Sequence, residues 1–141
     1  MRLKRASAAL ACALALSIVA CGDDGPNVPT PQNVAGTYMA TTLLATTGGT
    51  TTNLLTSGAS VTLILGADGT TSGRLFVPAS VTPQVDASLA GTWTFFNATD
   101  IDIASNTDTF LRDMLFTVSG NTLVGDQTFS ATRIQIVLTK Q

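Results

Sequence analysis

The chain has no histidine and no glutamate, and its 141 residues hold only two cysteines, one tryptophan and one tyrosine. Without His there is no ordinary general base near neutral pH, no Ser–His or Cys–His pair, and no usual zinc site. Two Asp can act together, as in glycoside hydrolysis, but none of the nine is flanked by the aromatics a sugar site needs. The sequence predicts no enzyme and assigns no cofactor and no catalytic residue. Cys12 and Cys21 both precede the rest of the chain, so whatever folds beyond them is held by packing rather than a disulfide.

Charge is also scarce. Charged residues make up 11% of the chain, where about a quarter is usual. Three of the seven cations are Arg2, Lys4 and Arg5; beyond residue 20, Arg74, Arg112, Arg133 and Lys140 face nine Asp, a balance near -5. Displacing phosphate counterions takes clustered cations, which excludes a nucleic-acid partner.

What replaces the charge is Thr, Ser, Asn and Gln. Thr is β-branched and suits a half-wet pleated surface. From Val34 the apolar period is two: Val61, Leu63 and Leu65; Leu75 and Val77; Ile101 and Ile103; Met114, Phe116 and Val118; Ile134, Ile136 and Leu138. No window carries helical spacing with caps, apart from room for one helical turn between Asn106 and Asp113. Asp68-Gly69 and Gly120-Asn121 sit between alternating runs as hairpin turns. Strands are predicted near 35–46, 52–57, 60–66, 70–77, 89–97, 100–105, 114–119, 122–129 and 132–140. The fold class expected is all-β: an antiparallel up-and-down barrel of eight or nine short strands, with a β-sandwich as the alternative. Closure removes exposed edges, and the only connection long enough for a sandwich crossing is 79–88.

Before this domain, residues 1–20 read as a leader: a positive start, then about fifteen small apolar residues, the length of a secretory core and short of a membrane span. It ends in Ile18-Val19-Ala20-Cys21, which resembles a bacterial lipobox. That resemblance implies lipidation of Cys21, export and stable attachment to a membrane through several acyl chains. Gly22, rather than Asp, follows the cysteine, which by the same resemblance implies the outer membrane. Residues 21–33 contain Pro26, Pro29 and Pro31 among polar neighbours and read as an extended tether reaching roughly 37 Å.

Two openers organise the domain 34–141. Val34-Ala35-Gly36-Thr37-Tyr38 is echoed by Leu89-Ala90-Gly91-Thr92-Trp93, and glycines (Gly73, Gly125) and phenylalanines (Phe76, Phe129) recur at similar distances, so a duplication is one reading. Gly91-Thr92-Trp93 resembles the Gly-x-Trp signature of lipocalins. The resemblance implies a small ligand-holding barrel and an Arg packed on the signature aromatic, for which Arg133 is the candidate against Trp93 or Tyr38. It departs from that family in placing the Trp form mid-chain and in its shorter domain. Trp93, Phe95, Ile101, Ile103, Phe116, Val118, Ile134 and Ile136 either line a cavity or fill it, since an eight-stranded barrel has room for its side chains or one small ligand. A filled interior is the first expectation. A hollow one of a few hundred Å³ points to a small hydrophobic ligand, and a filled one to an envelope protein that acts through its outer face or loops. Asn97, Asp100, Asp102, Asn106 and Asp108 gather oxygen atoms of the kind Ca²⁺ takes. Their spacing matches no calcium loop, and no metal is assigned.

Overall fold

The computed structural model describes residues 28–81 and 83–141; the leader, Cys21 and the tether up to residue 27 lie outside them. The domain begins earlier than Val34, with a single helical turn α1 (Pro31–Val34) capped by Thr30 through a reciprocal bond with Asn33. The stretch assigned to extended tether is therefore helical at 31–33. Proline at the first helical position loses no bond that the turn would make.

Ten strands follow: β1 (Gly36–Thr47), β2 (Thr50–Asn53), β3 (Ser60–Leu65), β4 (Thr70–Val77), β5 (Val85–Ser88), β6 (Gly91–Phe95), β7 (Asp100–Ser105), β8 (Phe116–Ser119), β9 (Thr122–Phe129) and β10 (Thr132–Lys140). Eight of them close an antiparallel barrel in chain order, β1-β3-β4-β6-β7-β8-β9-β10, and β10 returns to pair with β1 over Tyr38–Thr47. The barrel stands as expected, and the sandwich does not form. The remaining two strands extend the wall at one end. β1 pairs with β3 through 36–39 and with β2 through 44–47. β4 pairs with β6 at Thr70 and Thr71 and with β5 from Arg74 to Val77. β5 is a correction: 85–88 reads in the sequence as part of a connection because its four residues hold one strong strand former. It becomes a strand because β4 offers a free edge there. Segment 106–115 forms turns rather than a helix, yet sends Leu111 and Met114 into the core.

Turns set the register. Gly48 and Gly49 both have positive φ (57° and 82°) in the two-residue link between Thr47 and Thr50, the conformation that matches strand twist and that glycine adopts without strain. A bulge at Thr41 breaks the register of β1 against β10. Tyr38 faces inward before it, and Leu43 and Ala45 after it, so one strand serves the core with two parities.

The core is graded along the barrel axis. At the end where α1 enters, Tyr38, Leu65, Trp93, Phe116 and Leu138 are buried. Both openers finish there with a buried polar tip on a backbone carbonyl: the Tyr38 hydroxyl donates to Val34 at 2.6 Å, and Trp93 Nε1 to Gly66 at 2.8 Å. Such tips must find partners when buried. After the openers the halves diverge, since β1 is followed by the inserted β2 and β6 directly by β7. At the far end the inward positions carry smaller residues, Ala45, Thr47, Val77, Val85 and Thr132.

The charged side chains of the described residues sit outside this core. Asp126 is held below the ordinary value of 3.8 by hydrogen bonds from Arg133, Asp86 by those from Arg74, Asp100 by Asn97 and then Thr117, and Asp68 by Thr70. A depressed folded pKa adds stability that is complete above 3.8 and is lost as pH falls through the folded values. Burial raises Tyr38 above 10.0, so its contribution is complete below 10.0 and is lost as pH rises through the folded value. With no His to titrate between, the melting temperature should be flat from about pH 5 to 9 and fall on both sides. A thermal melt that changes steeply near neutrality would contradict this.

Candidate functional site

The barrel interior is less fully filled at one end because its inward residues are smaller there. An interior of eight strands is just filled by large side chains. Where Ala, Thr and Val replace them, space is left. At the end opposite α1 this space is an apolar cavity of about 580 Å³. The β1–β2 hairpin supplies Ala45, Thr47, Thr50 and Thr52, followed by Leu54. The end of β4 and the loop into β5 supply Val77, Val81, Pro83 and Val85. Phe110 reaches in from 106–115, and Thr132 and Ile134 come from β10. β2 and β5 are what turn this end into a rim, since each pairs with a single barrel strand and leaves its other edge to the opening.

Among the described residues, no lining residue is ionisable. The polar groups are the rim threonines, of which Thr47 and Thr132 share a hydrogen bond of 2.8 Å between their hydroxyls. A nearby buried hydroxyl, Thr109 Oγ1, has no hydrogen-bond partner among the described residues. An apolar cleft with a few hydroxyls at its edge can bury a hydrophobic molecule and orient a small polar group. It offers no nucleophile–base pair for chemistry.

The candidate cavity residues divide. Ile134 lines the mouth. Ile101, Ile103, Phe116 and Ile136 are at most 1% exposed and fill the core, and Val118 packs against it while bordering a small hollow near Gly120. Trp93 and Phe95 stack edge to face, with ring centroids 5.5 Å apart, beside a shallow depression at the α1 end. The aromatic opener therefore closes one end of the barrel and does not line the hollow end. Large apolar residues at inward positions pack holes shut, so the pattern that marks the core does not mark the cavity. The signal for the cavity was the reverse, small residues at inward parity on Ala45, Thr47 and Thr132.

Arg133 does not pack on Trp93 or Tyr38. It alternates with inward Ile134 and so points outward, where its guanidinium forks onto the Asp126 carboxylate across the β9–β10 pair. Strand parity forbids the expected contact. The oxygen cluster is also dispersed. Asn97 and Asp100 bond each other in the β6–β7 turn at the α1 end, and Thr117 donates to Asp100 at 2.7 Å. Asn106 and Asp108 lie beyond the other end of β7, where Asp108 pairs with Arg112 at 2.6 Å. Asp102 is on the outer face between them.

The chain matches no protein-family model, no curated protein and no solved structure.

Proposed function

We propose that this is a non-catalytic, lipid-anchored envelope protein whose barrel mouth holds a small hydrophobic ligand. The observation that carries the ligand half is the apolar hollow of about 580 Å³, a volume within the range of small-molecule sites. Barrel mouths are common places for such sites because the strands supply a rigid wall and the loops an adjustable rim. A lipocalin-like role is supported by this general form, although Gly91-Thr92-Trp93 opens the sixth strand and Arg133 faces away from it.

The anchor half rests on Ile18-Val19-Ala20-Cys21 and the leader before it. The chain reaches the barrel at its closed end through α1 and β1, and Lys140 Nζ ties the last strand to the Asn33 carbonyl at 2.8 Å. A chain anchored at Cys21 therefore enters the domain at the end opposite the mouth.

Each half has its own test. Labelled fatty acid should be incorporated into the wild type and lost in Cys21→Ala; label retained by the variant removes the anchor. An uncharged environment-sensitive naphthylamine dye should brighten on binding the protein and be displaced by apolar molecules. A flat titration removes the carrier reading and leaves a protein that works through its outer face. Trp93 emission is the wrong reporter, because that ring is buried at the other end.

A further inference from the structure

If the mouth is a ligand site, its chemistry also selects the ligand. We infer that it takes an uncharged apolar molecule, such as an alcohol, ester or isoprenoid, and rejects the same chain ending in a carboxylate or phosphate. An anionic head brought into an apolar site needs a cation or several donors to replace its water. Among the described residues the lining supplies hydroxyls, aliphatic groups and one aromatic ring but no cation.

Nor can the described cations swing in from outside without breaking what they hold. Arg74 forks onto Asp86 at 2.7 and 2.6 Å on the outer face of β4 and β5. Arg133 is held by Asp126 in the same way. Arg112, two residues from the lining residue Phe110, is shared between Asp108 at 2.6 Å and Asp113 at 2.9 Å. Lys140 is at the opposite end, bonded to Asn33. Asp108 and Asp113 against the single Arg112 leave one net negative charge beside the segment that carries Phe110, which disfavours an approaching anion. Hydroxyls both donate and accept, so the rim threonines suit a neutral hydroxyl or ester.

An anionic head kept in water outside the rim would hold its own methylenes out of the hollow, and affinity falls with each one left exposed. Charge selection therefore survives even though the mouth is open.

The test is displacement of the neutral dye from the full chain by decanol, decanoate and decyl phosphate at about pH 8. Decanol should displace it at roughly one tenth or less of the concentration needed for either anion, and decanoate should gain affinity at about pH 5, where more of it is protonated. Thr50→Lys places a cation at the exposed rim and should narrow or reverse the preference, which a merely structural change would not do. Equal or tighter displacement by decanoate in the wild type overturns charge selection while leaving the mouth as a binding site. If the dye never binds, the carrier reading falls and this inference falls with it.

Discussion

Gly73→Ala should be the most damaging single methyl in the domain, lowering stability by about 2–6 kcal/mol. Gly73 lies inside β4 with φ at 125°, where a side chain is strained by roughly 1–3 kcal/mol. A Cβ there would also overlap the Thr62 carbonyl oxygen and lie 2.9 Å from its carbon and 3.1 Å from Leu63 Cα. These are backbone atoms of β3, paired with Gly73 at Leu63, so they cannot move aside as a side-chain tip would. Overpacking of this kind adds about 1–3 kcal/mol. Against a total of about 5–15 kcal/mol for an ordinary domain, the variant should unfold at much lower denaturant or fail to accumulate. The contrast is Gly48→Ala, with positive φ but nothing within 4 Å of its Cβ, which should lose only the conformational part. A Gly73→Ala protein with an unchanged denaturation midpoint would show that the β3–β4 approach is not as close as described.

Val81→Asp should leave the fold standing and weaken dye binding by about a hundredfold. Val81 is half-buried on the loop between β4 and β5 and lines the mouth. In the empty protein a carboxylate there stays in contact with water through the opening, so stability should change little. A ligand closing over it would remove that water with no lining cation to replace it, and an unpaired charge is expensive to bury. A hundredfold corresponds to about 2.7 kcal/mol, within what such desolvation supplies. Dye titration measures the loss and a thermal melt confirms the fold. Full affinity with the melt unchanged would place the dye elsewhere and remove the mouth as its site.

Much of the architecture was fixed by local rules. Alternation in Val61–Leu65, Ile101–Ile103 and Ile134–Leu138 put the right side chains inward because a pleated strand has no choice of parity. Asp68-Gly69 and Gly120-Asn121 turned where their backbones permit. The same locality explains the failures. Nothing in 85–88 favours a strand until β4 leaves an edge for it, and Thr30, Pro31 and Asn33 can start a helical turn but not hold one so short until its buried end meets the barrel at Tyr38. Arg133 was matched to Trp93 by motif, but outward parity and a carboxylate across the β9–β10 pair decide where it points.

Sequence alone therefore determined the class of fold and much of the inward set, since both depend on residue type and a spacing of two. Tertiary structure decided where the barrel is full and where it is empty. Filling depends on side chains from eight strands meeting at one height along the axis, and height is set by register, by the Thr41 bulge and by which strand runs past its neighbour. Large residues from distant parts of the chain meet at the α1 end and fill the interior there. Small ones meet at the other end and leave a mouth.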